Sequence, residues 1–130
     1  MSLEWTLLAW SPVLFALYMG TQATLYRLEH GVEFAATGRV DEPPAKSPYL
    51  QRAEKALRNF LESYGVFIAL AVAAELGHRS GLLTQWGGGL YFAARIVYLP
   101  LYVLGTKYIR SLVWVVSLLG LTMMFLGVVA

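Results

Sequence analysis

Long apolar stretches, separated by short polar segments, run along the whole chain. Four of them, roughly residues 5–26, 57–76, 83–105 and 112–129, approach the length of about 20 mostly apolar residues that a helix needs to cross a bilayer. The pattern therefore predicts an all-α fold. We expect a single membrane domain, residues 1–130, built as a bundle of four transmembrane helices.

The polar segments between these stretches are predicted to be loops. The segment "TGRVDEPPAKSP", residues 37–48, combines glycine, proline and mixed charge, which is typical of a solvated loop. Helix should resume near Tyr49, before the second span enters the membrane. The segment "GHRSGLLTQWGGG", residues 77–89, is predicted to be the outer turn, where its consecutive glycines let the chain reverse. Residues 105–111, "GTKYIRS", are predicted to form a tight inner turn.

Composition supports a membrane environment. Hydrophobic residues make up 58% of the 130 residues and charged residues only 14%, which is more apolar surface than a soluble domain of this size can bury. The chain has no cysteine, so disulfides, thiolate metal ligands and a cysteine nucleophile are excluded. We expect lipids as neighbours and neither a metal nor a nucleic acid as a partner.

The positive charges predict the orientation in the membrane. Cytoplasmic loops of membrane proteins are enriched in lysine and arginine. Only Arg79 falls in the second loop, whereas the first and third loops, with the adjoining helix ends, hold Arg27, Arg39, Lys46, Arg52, Lys55, Arg58, Lys107 and Arg110. Both termini are therefore expected outside the cytoplasm.

A polar stripe descends along the second predicted helix. Lys55, Asn59 and Glu62 follow the i, i+4, i+7 spacing of one helix face. Arg52 lies a turn earlier, and Arg58 lies at the flank, within ion-pair range of Glu62. Basic residues here have a simpler explanation, because they also anchor a helix end to anionic headgroups. A carboxylate inside a span costs about 2.5–3.5 kcal/mol and usually faces a bundle interior or a wet cavity.

A second stripe lies on the third predicted helix, where Arg95, Tyr98 and Tyr102 follow the i, i+3, i+7 spacing. At about 1.5 Å of rise per residue, both stripes fall in the cytoplasmic half of the membrane. Arg95 and Glu62 are predicted to be partners, either as a structural ion pair or as part of a site. Arg110 and Ser111 should lie at the mouth of a polar pocket that opens toward the cytoplasm.

The chemistry of this pocket limits its ligand. Cations at the mouth favour carboxylates, and a buried carboxylate beside an amide can hold an ammonium group. An arginine near a thiol favours the thiolate form. A small zwitterionic thiol with two carboxylates meets these demands, and glutathione is such a molecule.

Two motifs resemble a known family. The stretch "RAEKALRNFLE", residues 52–62, followed by an apolar span, and "RIVYLPLY" with "YIRS" in residues 95–111, resemble the MAPEG family, membrane-associated proteins in eicosanoid and glutathione metabolism. The chain length, the four spans and the long first loop agree over essentially the whole chain. The resemblance suggests a bacterial member, in the inner membrane.

The resemblance implies a homotrimer that binds glutathione between subunits on the cytoplasmic side. Matched by motif, Asn59 and Glu62 would hold the peptide and its amino group, and Tyr98 and Tyr102 would hydrogen-bond the peptide. Arg110 matches an arginine that stabilises the thiolate, with Ser111 beside it, and Arg52 and Arg58 match arginines of one branch. Two positions depart from the pattern: Lys55 replaces an arginine, and Ser63 replaces a tyrosine, with Tyr64 displaced by one residue.

Three functions remain to be compared. The first is a glutathione-dependent transferase or peroxidase acting on lipophilic electrophiles or hydroperoxides. The second is a non-catalytic scaffold or lipid-binding protein of the same fold, since the family includes one. A small proton-coupled drug exporter, the third, is disfavoured because residues 5–26 lack the ionisable acid that such proteins carry in their first helix.

Overall fold

The computed structural model describes residues 2–37 and 45–130, and over these ranges the regular structure is entirely helical. Five helices follow one another in the described chain: α1 (Leu3–His30), α2 (Val32–Ala36), α3 (Pro48–Leu76), α4 (Leu82–Val103) and α5 (Tyr108–Val129). The all-α prediction is confirmed. Most of the predicted first loop, with Arg39, lies outside the described residues.

Serine caps begin the two longest helices. The Ser2 hydroxyl accepts a hydrogen bond from the Trp5 backbone N–H at the start of α1. The Ser47 hydroxyl accepts one from Leu50 in the same way, and Pro48 occupies the first turn of α3, where its missing N–H costs nothing. Helix therefore resumes one residue before Tyr49, close to the position that the sequence predicts.

Helices α4 and α5 approach each other closely, and this contact depends on glycine. A Cβ atom at Gly87 would lie 2.5 Å from the Gly120 carbonyl oxygen and 2.8 Å from the Met124 backbone nitrogen. The prediction that the glycine run is part of a turn is wrong, because α4 already begins at Leu82. A glycine run resembles a turn in sequence, but here it lets two helix backbones touch.

We expect Gly87→Ala to destabilise the protein by about 1–3 kcal/mol, because backbone atoms of α5 cannot yield to the added methyl group. Gly89→Ala is the matched control, since a Cβ there meets nothing within 4 Å; its stability should be unchanged or slightly higher. Thermal unfolding in detergent measures both. Equal losses in the two variants would contradict the close α4–α5 contact.

Aromatic side chains join α1, α3 and α4 around one core. Tyr18 stacks on Phe60 with ring centroids 4.5 Å apart, and both side chains are fully buried. The Tyr18 hydroxyl continues to α4, where it donates to the backbone carbonyl of Arg95 at 2.6 Å. The Ser11 and Tyr64 hydroxyls share a hydrogen bond of 2.7 Å, which joins α1 to α3. These contacts fix the position of α4 along the axis of α3.

Near the C-terminal end of α1, Glu29 binds the backbone of the residues that precede α3. Its carboxylate accepts hydrogen bonds from the backbone N–H of Ser47 at 2.6 Å and of Lys46 at 3.0 Å. The Ser47 N–H, followed by that of Lys46, holds the pKa of Glu29 below its ordinary value of 4.5. The charged carboxylate thus ties the two ends of the first loop together.

This bond predicts a pH dependence. A lowered pKa means that Glu29 stabilises the fold fully above its unfolded pKa and loses that contribution as the pH falls through the folded value, below 4.5. In Glu29→Gln the Lys46 and Ser47 amides should exchange hydrogen faster than in the wild type at neutral pH, with the difference vanishing in acid. Glu33→Gln, on α2, is the control and should show no difference. A rate ratio that is constant with pH would contradict this role.

Two helices in the described chain, Pro48–Leu76 and Tyr108–Val129, are long and apolar enough to cross a membrane. The other two long helices, α1 and α4, each contain four tryptophan and tyrosine residues, whereas α3 and α5 each contain two. Large apolar side chains such as Trp10, Leu112 and Phe125 are exposed on the outside of the bundle, as expected where lipid is the solvent. The number of membrane crossings stays a prediction.

Candidate functional site

A buried arginine is the centre of the candidate site. Arg95, on α4, is only 1% exposed. Its Nη1 donates a hydrogen bond of 2.7 Å to Oδ1 of Asn59 on α3, whereas its Nε is buried and has no hydrogen-bond partner among residues 2–37 and 45–130. The Nε–H is therefore an unsatisfied donor in a buried part of the protein, where such a donor is costly.

Two tyrosines of the same helix flank this guanidinium. Its central carbon lies 5.6 Å from the Tyr91 ring centroid and 5.0 Å from that of Tyr98. Both phenol side chains are almost fully buried, so they contribute cation–π attraction in surroundings of low polarity. Arg95 is thus held by aromatic faces and by one amide oxygen.

The predicted pairing of Arg95 with Glu62 is wrong for the described structure. Among residues 2–37 and 45–130 no ion pair joins them within 4 Å, and Asn59 takes the hydrogen bond instead. Glu62 lies at the outer edge of α3 and is exposed. Both side chains nevertheless border the same cleft.

This cleft lies between α3, α4 and α5 and has a volume of about 360 Å³. One wall is polar and the other is apolar. The polar wall consists of Asn59, Glu62, Ser63 and Arg95, and the apolar wall of Val66, Trp114, Leu118 and Leu121. Ser63 is fixed there because its hydroxyl shares a hydrogen bond of 2.8 Å with Tyr91. Such a cleft suits a ligand with both charged and apolar parts.

The tyrosine stripe continues from this cleft to a second arginine. The Tyr98 and Tyr102 rings lie 5.4 Å apart, and the guanidinium carbon of Arg110 lies 4.5 Å from the Tyr102 centroid. Arg110 and Ser111 belong to the first turn of α5. The predicted stripe on α4 is therefore joined to Arg110, which is predicted to lie at the mouth of the pocket: Arg95, Tyr98, Tyr102 and Arg110 form one continuous row of contacts.

Arg52 does not join this row but packs on the turn between α4 and α5. Its Nη1 donates to the Val103 carbonyl at 3.3 Å. Gly105, at φ +81°, leaves room for the guanidinium, since a Cβ there would lie 2.7 Å from Arg52 Cζ. Arg52 thereby satisfies a carbonyl at the end of α4. Its position supports a structural role and places no charge in the cleft.

Lys55 and Arg58 are exposed and form no hydrogen bond or ion pair with the described residues. Arg58 borders a broad open groove of about 660 Å³ between α1 and α3, together with Met19, Gln22, Glu54, Leu57, Leu61 and Glu62. Glu62 therefore borders two depressions, one on each side of α3. In a single chain both remain open to the surroundings.

Sequence reasoning missed several residues of the cleft. Ser63 appears in the sequence as a departure from a family pattern, and its bond to Tyr91 could not be foreseen. Trp114 and Leu118 lie on α5 at a spacing of four residues, and this signal resembles any lipid-facing helix stripe. Tyr64 is turned away, since its hydroxyl meets Ser11 on α1.

A comparison with known protein families identifies the family of this chain. The model of the MAPEG family matches residues 6–130, nearly the whole chain. The chain belongs to the MAPEG family. The resemblance in the two sequence motifs is thus confirmed, and this MAPEG protein is a membrane protein. No curated protein and no solved structure matches it.

The contact between Arg95 and Asn59 can be tested by substitution. Asn59→Leu removes the acceptor and leaves a buried charged donor unpaired, so it should destabilise the protein by about 1.5–3 kcal/mol. Asn59→Asp keeps an oxygen in reach of Arg95 Nη1 and should lose much less. Thermal unfolding in detergent distinguishes the two, and equal losses would mean that Asn59 contributes only by packing.

Proposed function

We propose that this protein is a glutathione-dependent transferase or peroxidase that acts on lipophilic electrophiles or hydroperoxides. The observation that carries the proposal is the buried Arg95, whose Nε has no partner in the described part of the chain, beside a cleft that Asn59 and Glu62 also border. The MAPEG family includes glutathione transferases and related enzymes. That membership gives a class of ligand for the cleft.

The residues present fit glutathione. The free N–H of Arg95 suits a ligand carboxylate, because charge-assisted hydrogen bonds are the strong ones. Glu62 has no cation of its own within ion-pair distance in the described chain, so it suits the ligand ammonium group. Asn59 already gives its oxygen to Arg95, which leaves its amide N–H groups for the peptide.

The length of the site also agrees with that of a tripeptide. Arg95 and Tyr102 are seven residues apart on α4, which is about 10 Å along the helix axis. Three residues in extended conformation span about 10–11 Å. A tripeptide bound along this row of side chains would therefore lie within reach of both Arg95 and Arg110.

We assign to Arg110 the role of stabilising the glutathione thiolate. Glutathione supplies the nucleophilic sulfur of the reaction. The guanidinium of Arg110 would stabilise the thiolate by its charge, since a nearby cation lowers a thiol pKa from its usual value of about 8.5. Ser111, whose hydroxyl now donates to the Lys107 carbonyl at 3.4 Å, is the neighbouring donor. The apolar wall with Trp114 and Leu118 would receive the lipophilic second substrate.

The assembly we propose is a homotrimer of four-span subunits in a bacterial inner membrane, with both termini outside the cytoplasm. The basic first and third loops support this orientation. The open depressions on both sides of Glu62, together with the exposed Lys55 and Arg58, support a site that a neighbouring subunit completes. Lys55 and Arg58 would then hold ligand carboxylates from across the interface.

A specific observation favours the second candidate, a non-catalytic scaffold or lipid-binding protein of this fold. Arg52 is engaged by the α4–α5 turn, and Lys55 offers a point charge in place of the bidentate fork of an arginine. The site therefore has fewer forked cations for carboxylates than the motif implies. Saturable glutathione binding would speak against this candidate.

Ultraviolet difference spectra during a glutathione titration test the proposal. In the wild type a saturable thiolate absorbance should appear near neutral pH. In Arg110→Ala it should appear only as the pH approaches about 8.5, the value for an unperturbed thiol. Arg27→Ala, which removes an exposed arginine at the end of α1, is the matched control and should keep the signal. If the wild type shows no saturable signal at millimolar glutathione, the scaffold becomes the better account.

A further inference from the structure

We propose that Tyr102 is a positioning residue whose ring face holds the Arg110 guanidinium over the site. This inference rests on the proposed function for its consequence but not for its geometry. The motif comparison assigns Tyr102 a hydrogen bond to the ligand through its hydroxyl. The contact at 4.5 Å gives its ring a different task.

Arg110 needs such a support because its surroundings offer little else. It lies in the first turn of α5, where the helix dipole is positive and disfavours a cation. In the described parts of the chain no carboxylate lies within ion-pair distance of it, and no hydrogen bond fixes its guanidinium. An arginine in that situation loses side-chain entropy when it is fixed in one direction. The ring of Tyr102 is the contact that offsets this loss.

The ring of Tyr102 is itself held in place. It is half-buried and packs against the core cluster of Leu14, Tyr18, Ala56, Phe60 and Tyr98. Its centroid lies 5.4 Å from that of Tyr98, and Tyr98 in turn contacts Arg95 at 5.0 Å. These ring contacts link the position of Arg110 on α5 to the buried side chains of α4.

The phenol hydroxyl and the ring can be separated by substitution. Tyr102→Phe keeps the aromatic face and removes the hydroxyl, whereas Tyr102→Leu removes the face as well. A role in hydrogen bonding to the ligand predicts that the two variants behave alike. A role in holding Arg110 predicts that they differ, because the ring face attracts the cation.

The first readout uses the protein without glutathione. An arginine-specific dicarbonyl reagent is added, and modification of Arg110 is followed by mass spectrometry of its peptide. Tyr102→Leu should release the guanidinium and raise the labelling rate several-fold, with Tyr102→Phe close to the wild type. Tyr108→Leu, which removes an 87% exposed tyrosine two residues from Arg110, is the control and should leave the rate unchanged. Equal rates in wild type and Tyr102→Leu would overturn the proposal.

The second readout is the ionisation of bound glutathione. The thiol pKa should rise toward its free value in Tyr102→Leu and stay lowered in Tyr102→Phe, whatever each variant does to affinity. A rise of the same size in both variants would overturn the ring's role. If wild-type protein binds no glutathione, the proposed function fails, while the labelling experiment still decides whether Tyr102 holds Arg110.

Discussion

A guanidinium group between apolar helices has to be satisfied from within the protein, and Arg95 imposes this constraint on the whole bundle. A buried charged group is costly unless it is paired or hydrogen-bonded. Asn59 on α3 supplies one acceptor, and the Tyr91 and Tyr98 rings supply the faces around it. Tyr18 on α1 fixes the same turn of α4 through the Arg95 carbonyl. Three long helices are therefore positioned by one residue.

The same constraint shapes the candidate site. Satisfying Arg95 with an amide and not a carboxylate leaves its charge uncompensated, and its Nε has no hydrogen-bond partner among the described residues. Glu62, which could have neutralised it, borders the cleft from the outer edge of α3 instead. A zwitterionic ligand would bring the missing anion to Arg95 and the missing cation to Glu62. Both charged groups therefore lack the partner that a purely structural ion pair would provide, and a ligand could supply it.

The sequence predicts the two stripes well because helical periodicity alone places Asn59 on one face and Arg95, Tyr98 and Tyr102 on another. It cannot say which polar group on α3 meets Arg95, because Asn59 and Glu62 are one turn apart and the rotation of α3 decides between them. The prediction that Gly87 belongs to a turn is wrong for a related reason, since its partner, Gly120, is on a different helix. The motif suggests Arg52 as a ligand residue, because nothing in the neighbouring sequence indicates that the α4–α5 turn lies beside it.

The most direct test of this account is the free N–H of Arg95. In protein with isotope-labelled arginine side chains, the Arg95 Nε–H resonance can be assigned by its loss in Arg95→Lys and followed while glutathione is added. The account predicts a saturable shift of this resonance, because a ligand carboxylate takes the vacant donor. If glutathione binds with a saturable thiolate signal and the Arg95 resonance stays in place, the ligand lies elsewhere, and Arg95 is a structural residue only.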